Sequence, residues 1–349
     1  MEMMKALVKY ENKAEASELR DVPIPEINDD QVLIRVAYTG ICGSDPHVYH
    51  QKQSFKVVTP FISGHEFSGT IEKIGKHVTG YEPGERVACE THYDYCGKCA
   101  MCRTGNYHIC RDRKGFGFNV DGAFAKYVKA YPKSLHKLPD NVSLKAASII
   151  EPFCVAYNAI VERSRHVKPG DLAVVIGPGP IGLMAVELFM MLGCSDVVIV
   201  GTDRDALRLG LAKEFFGIKT LNSMKDDVAG IVRDMSDGYG ADIILDAAGF
   251  APCMKLSIEM VRPAGQITKI GWEPGPIDFS LDPLLSKSVS YNFCFSHTWP
   301  TWEKTISLMA SGQLDLEKYI TDVLPLDEWK HGFEMAEQCE GLKICLVAE

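Results

Sequence analysis

The sequence has no run of about 20 uninterrupted apolar residues, the length a membrane helix needs. Its nearest approach, 172–200, is interrupted by Gly177, Pro178, Gly179 and Pro180 and contains Glu187 and Asp196. That stretch reads as a strand, a glycine turn, a buried helix and a second strand rather than a span. The first ten residues lack the apolar stretch and small-residue cleavage site of a secretory signal. Blocks of Lys and Arg are missing too, and the net charge is −9. Nothing is concentrated to neutralise phosphates, which excludes nucleic acid as a partner. There is no internal repeat and no low-complexity tract. These absences leave a globular protein, expected in the cytoplasm.

What is present fits an enzyme of two domains, since 349 residues exceed what one core usually serves. Up to about residue 139 the pattern predicts short strands and turns: strands over 31–38 and 67–74, and a Pro-Gly turn at 81–87 feeding another. A helix is predicted over 144–160, kinked at Pro152. From Asp171 on, short continuous apolar strands (173–176, 197–200, 243–246, 267–270) alternate with helices (181–192, 206–216). Such strands belong to a parallel sheet covered on both faces, hence an α/β domain. After about residue 285 the regularity fades, with helices expected over 301–310 and 326–338 and a closing strand over 343–347.

Twelve cysteines need a reason in a reducing compartment, where disulfides are disfavoured. Cys96, Cys99, Cys102 and Cys110 are spaced C-x2-C-x2-C-x7-C. Close pairs let four thiolates converge on one tetrahedral ion, and Gly97 and Gly105 permit the turns this requires. Four thiolates fill the coordination sphere, so the site is expected to be structural. An iron–sulfur cluster can also use four cysteines, but spacing and context favour zinc. A nucleic-acid-binding zinc ribbon lacks its flanking basic patch here.

Gly177-Pro178-Gly179-Pro180-Ile181-Gly182 is a G-x-G-x-x-G fingerprint between a predicted strand and a predicted helix. Gly177 makes the turn, Gly179 admits the pyrophosphate, and Gly182 lets helix and strand pack closely. The helix N-terminus then faces the phosphates. Asp203 stands at the offset of the acid that binds the ribose hydroxyls, which favours NAD over NADP, although Arg204 beside it weakens that preference. Arg208 is a candidate for the adenosine side, or a surface arginine of its helix.

Three further features carry metal-ligand chemistry: Gly40-Ile41-Cys42-Gly43-Ser44-Asp45 followed by His47, then Gly64-His65-Glu66, then Glu151-Pro152. Cys42 and His65 offer a soft and a borderline zinc ligand. Glu66 and Glu151 can supply oxygen ligands or hold a metal-bound water. An open position would mark a catalytic site, although on spacing alone Cys42 and His65 can equally be packing residues.

With these motifs in order, the chain resembles the zinc-containing medium-chain dehydrogenases over nearly its whole length. Within them it is most similar to the sorbitol (L-iditol) dehydrogenase and threonine dehydrogenase branch. The resemblance implies a GroES-like catalytic domain, 1–151 and 286–349, with a structural zinc lobe at about 89–113. A Rossmann NAD-binding domain, 152–285, is inserted between its parts. It also implies two zinc ions per subunit, a homodimer or homotetramer, and a nicotinamide held beside the catalytic zinc. By the same resemblance Cys42 and His65 are zinc ligands, and Glu66 is an acid that ligates zinc or exchanges with water. Glu151 stands where polyol dehydrogenases carry a carboxylate and simple alcohol dehydrogenases a cysteine. Asp45 orients the zinc-bound histidine, Ser44 takes the substrate proton, and His47 ends the relay. Zinc serves as the Lewis acid.

One departure stands out. Sorbitol dehydrogenases carry an Arg-Tyr pair before their N-T-W-P segment, and here Cys294-Phe295 stands in its place. A thiol and an apolar ring point away from sorbitol itself, toward a less polar, differently shaped or modified substrate. The sequence therefore predicts NAD-linked oxidation of a secondary alcohol of a polyol or sugar derivative. L-threonine 3-dehydrogenase is the alternative within the class, and a non-catalytic zinc- and NAD-binding regulator the alternative outside it.

Overall fold

The computed structural model describes residues 2–165, 167–272 and 275–348. The chain forms two compact units, Met1–Glu151 with Thr298–Glu349, and Pro152–His297.

The first unit is built on antiparallel strands. Val32–Gly40 pairs with Glu66–Ile74, and Glu66–Ile74 with Arg86–Cys89. On its other edge Val32–Gly40 meets Lys343–Val347, with Gly40 opposite Cys345. The expected closing strand is therefore the piece through which the C-terminal segment completes the unit. Alternation explains the pleat: Val32, Ile34 and Val36 turn inward onto Phe67, Ile71, Val87 and Phe116. Met3–Lys9 and Ser17–Pro23, not predicted, form a hairpin that pairs with Phe61–Ile62.

The second unit is a six-stranded parallel sheet. Its spatial order is Lys219–Asn222, Asp196–Gly201, Leu172–Ile176, Ala241–Asp246, Val261–Lys269, Ser290–Phe293. Numbered along the chain this is 3-2-1-4-5-6, the doubly wound dinucleotide-binding order. Its strands are apolar on both faces: Leu172, Val174 and Ile176 pack with Ile244, Met254, Ile258 and Ile267 under the helices. The apolar stretch 172–200 is thus strand, helix Pro180–Met191 and strand, and no described helix is long and apolar enough to cross a membrane.

Two expectations need correction. The expected return to the first unit at 286 comes too early, because Ser290–Phe293 still pairs in parallel with Val261–Lys269; the compact unit closes at His297. That strand is the sheet's edge and only partly buried, so its sequence carries no continuous apolar run. The helix expected over 144–160 is instead Leu144–Ala147 followed by Ile150–Tyr157 and a π-helical turn, Asn158–Glu162. The break precedes Ile150, not at Pro152. Pro152 lies in the first turn of its helix, where no intrahelical partner for its missing N–H is lost.

Candidate active site

Register brings the first ligand set together. Gly40 pairs with Glu66, so the residues just beyond each strand end, Cys42 and His65, meet. A ligand atom from each of Cys42, His65 and Glu66 lies within 4.8 Å of the others. The tight turn at Cys42 is held from within. Asp45 Oδ2 accepts the Cys42 N–H at 2.9 Å, and the Asp45 N–H donates to the Cys42 carbonyl at 3.0 Å. Asp45 Oδ1 stands 3.6 Å from His65 Nδ1. Burial opposes charge on the His65 imidazole, but Asp45 and Cys42 outweigh it and hold its pKa well above the ordinary value. Phe118 covers the ring at a centroid distance of 4.8 Å.

Glu66 is fully buried. Its Oε2 is ion-paired with Lys343, and its Oε1 has no hydrogen-bond partner among the described residues. An unsatisfied carboxylate oxygen in a dry interior is costly, and a metal ion held by Cys42 and His65 would satisfy it. A thiolate, an imidazole and a carboxylate with one position left over is a donor set suited to catalytic zinc. Burial pushes the Glu66 carboxyl up, the Lys343 ammonium pulls it down, and Glu151 pushes it up again. Lys343 itself is buried and donates to the Ile41 carbonyl at 2.9 Å.

Glu151 is outside this triad; its Oε1 accepts from Thr91 Oγ1 at 3.1 Å. Ser44 and His47 lie three positions apart on the helix Ser44–Tyr49, hence on one face, with His47 exposed.

The four cysteines form a second cluster. Their sulfurs are 3.6 Å (Cys96–Cys110), 3.9 Å (Cys96–Cys102), 3.5 Å (Cys99–Cys102) and 3.9 Å (Cys99–Cys110) apart. Zinc–sulfur bonds of about 2.3 Å in a tetrahedron place sulfurs about 3.8 Å apart, so the cradle fits a zinc ion. All four are free thiols. Gly97 and Gly105 adopt φ of +69° and +77°, the left-handed turns the spacing called for. Backbone N–H groups of Lys98 and Cys99 hold the Cys96 thiol down to about 6, which favours the ligating thiolate.

In the second unit Gly177 has φ +98°, and a Cβ on Gly182 would collide with the Gly177 carbonyl. A Cβ on Gly179 would meet nothing within 4 Å, so the turn stays open toward a ligand. Gly179 precedes the helix Pro180–Met191 without a side-chain cap; Pro180 has no N–H, and the N–H groups of Ile181 and Gly182, ahead of the first intrahelical bond from Leu183 to Gly179, are left for phosphate. Thr202 and Asp205 close a capping box after the second strand. Asp203 is thereby spared from capping; it accepts from Asn222 Nδ2 at 2.8 Å and pairs with Lys225 at 2.5 Å. Lys225 and then Asn222 hold its carboxyl below the usual range. Arg208 lies partly buried in the helix that follows, Ala206–Phe216. At the carboxyl ends of the last two parallel strands a cavity of about 280 Å³ is lined by Lys269, Trp272, Phe293, Cys294 and Phe295. Trp272 and Phe295 meet there edge to face at 5.8 Å.

Sequence reasoning missed Lys343, Thr91, Asn222 and Lys225. Each acts on a residue far along the chain or beyond a turn, and no local motif marks it.

Within the first unit, His136 bridges two acids. Nδ1 faces Glu303 at 2.6 Å and Nε2 faces Glu90 at 3.3 Å, while the ring stacks on Trp302. Burial disfavours the imidazolium, but Glu303 and Glu90 overcome it, and the pKa is raised above 6.5. A raised folded pKa contributes stability below the unfolded pKa and loses it as pH rises through the folded one. His136→Gln is therefore expected to lower Tm most at about pH 6, with the deficit shrinking toward about pH 9. Thermal unfolding of both proteins across that range checks it; a constant deficit would show that only packing is lost.

The family models agree with this geometry. Residues 28–140 match the alcohol dehydrogenase GroES-like domain, and residues 180–311 match the zinc-binding dehydrogenase domain. A sorbitol dehydrogenase of Halalkalibacterium halodurans is 37% identical, covering 99% of each chain. A D-arabitol-phosphate dehydrogenase of Enterococcus avium is 35% identical, over 93% of this chain and 92% of that one. The solved alcohol dehydrogenase of Thermus sp. ATN1 superposes with a TM-score of 0.89 at 32% identity, covering 99% of both chains. The chain belongs to the zinc-dependent medium-chain dehydrogenases, oxidoreductases that work with zinc and a nicotinamide dinucleotide.

Proposed function

We propose that this enzyme oxidises a secondary alcohol of a polyol or sugar derivative with NAD. The observation that carries the reading is the donor set of a half-buried Cys42 with buried His65 and Glu66, on which Glu151 acts as a further carboxylate. Similarity to sorbitol and arabitol-phosphate dehydrogenases supports the substrate class. Cys42, His65 and Glu66 would hold the catalytic zinc, and Glu151 acts on Glu66 through its charge. Cys96, Cys99, Cys102 and Cys110 would hold the structural one. Bound there, the catalytic zinc supplies a Lewis acid for the alcohol oxygen, and NAD supplies the hydride acceptor. The protein's own part is positioning and proton transfer. Asp45 orients His65, Ser44 accepts the alcohol proton, and the exposed His47 delivers it to solvent. The Cys294-Phe295 pair, standing where sorbitol dehydrogenases carry Arg-Tyr, favours a substrate less polar than sorbitol. We place the enzyme in the cytoplasm as a homodimer or homotetramer.

The test is NADH formation by the zinc-loaded enzyme on a panel of polyols, sugar acids, sugar phosphates and L-threonine. Turnover on a polyol or sugar derivative supports the reading. Turnover on L-threonine alone replaces it with threonine dehydrogenation, and silence with NAD still bound favours a non-catalytic role.

Asp203 sets the cofactor preference in this reading. Asp203→Ser is expected to lower kcat/KM for NAD by about 10-fold or more, the worth of charge-assisted hydrogen bonds to the ribose. With Lys225 left beside the vacated position, kcat/KM for NADP should rise. Steady-state kinetics with both cofactors decide it; an unchanged ratio would remove Asp203 from that role.

A further inference from the structure

A single guanidinium joins the exit of the four-cysteine lobe to the catalytic carboxylates. Arg113 stands three residues beyond Cys110, just before the short strand Lys114–Gly115, which pairs with His92–Asp94. Arg113 Nε donates to Nδ1 of the fully buried His92 at 2.6 Å. A guanidinium has no lone pair to offer, so Nδ1 must accept and the ring proton sits on Nε2. Nε2 faces Glu90 Oε2 at 4.0 Å. Glu90 is itself fixed by the Tyr107 hydroxyl, which donates to its two oxygens at 2.8 and 2.9 Å.

The residue before His92 completes the path. Thr91 Oγ1 holds Glu151 at 3.1 Å, and the Thr91 carbonyl accepts the Phe116 N–H at 3.1 Å. The pair Thr91-His92 is thus gripped on one side by the lobe's exit and grips Glu151 on the other. Charge follows the same line. Burial drives the Arg113 guanidinium down to about 10, and the carboxylates of Glu151 and Glu90 work to keep it charged. Glu151 in turn acts on Glu66, whose counter-ion is Lys343.

We propose that Arg113 is a positioning residue: by fixing Thr91-His92 it sets the place of Glu151, and so the metal affinity of the site at Cys42, His65 and Glu66. The inference rests on the metal reading of that site, so its test reads binding rather than turnover.

Cobalt(II) is the probe, titrated against a competing chelator into full-length protein whose Cys42 site has been emptied and whose four-cysteine site keeps zinc. Arg113→Met is expected to weaken cobalt binding about 10- to 100-fold, the range for residues that orient metal ligands. The visible ligand-field bands of the bound cobalt should shift as well. Arg113→Lys should recover part of the affinity, since an ammonium restores the charge and one donor. Thr91→Val cuts the path at its other end by removing one hydroxyl, and should give the same loss even where Arg113→Met fails to fold. Unchanged affinity and bands in these variants, with only a lower Tm, would reduce Arg113 to a packing residue. Failure of the wild-type protein to bind cobalt at the emptied site would overturn the metal reading itself and this inference with it.

Discussion

Cys42→Ser is expected to remove the enzyme's activity, with kcat/KM falling by about a thousand-fold or more, while NAD still binds. The thiolate is the soft member of the donor set, and a serine hydroxyl is neither soft nor ionised at neutral pH. Losing the Lewis acid forfeits several kcal/mol of transition-state stabilisation, and about 4 kcal/mol is already a thousand-fold in rate. The dinucleotide fingerprint at Gly177, Gly179 and Gly182 belongs to the other compact unit, so cofactor affinity has no reason to move. Paired measurements of turnover and of NAD binding by fluorescence titration check this. A Cys42→Ser enzyme with a tenth of its activity intact would mean that chemistry does not depend on a metal at this site.

Lys343→Met carries the second large effect, on stability. It leaves the Glu66 carboxylate buried without its cation. Breaking one partner out of a buried pair costs about 3–5 kcal/mol, because the orphaned charge has no water to turn to. The loss should appear in denaturant unfolding of chelator-treated protein; with metal present, the ion would offset part of the missing charge. Replacing both partners, Lys343→Met with Glu66→Leu, should recover most of the stability, since an apolar pair of similar volume fills the space. It should not recover activity, because Glu66 is then gone from the donor set. If Lys343→Met is as stable as wild type, Glu66 is protonated and the ion pair is not what holds the strands together.

The ligand clusters were legible because their residues are close in sequence. C-x2-C-x2-C-x7-C closes small loops, and the fingerprint lies on one turn between one strand and one helix. Cys42 and His65 are farther apart, yet a single antiparallel pairing of their two strands unites them. Lys343 was illegible: a lysine opening an apolar strand reads as an edge charge. Only the insertion of that strand beside Val32–Gly40 turns it toward Glu66. Arg113 and Thr91 were hidden in the same way, their partners being chosen by tertiary pairing. The fold shows a parallel division. Central parallel strands, buried on both faces, announce themselves as apolar runs. The two edge strands, Lys219–Asn222 and Ser290–Phe293, are half-exposed and mixed in composition, and the sequence offered no period by which to find them. Pro152 misled for a different reason, since proline breaks the interior of a helix but is welcome in its first turn.

The strand Lys343–Val347 follows every other element in sequence, yet it occupies an interior place beside Val32–Gly40. Pairing near residue 40 with residues near 345 is among the most distant contacts the chain can make, and such loop closure is slow. During synthesis the parallel sheet has all its strands in hand long before that partner emerges. The N-terminal segment must wait, holding an apolar strand edge and a lone buried acid, until the tail arrives. Order of assembly is thus written into the topology: the nucleotide unit matures first, and a chain stopped short of Lys343 would be a nucleotide binder with an unfinished, aggregation-prone partner.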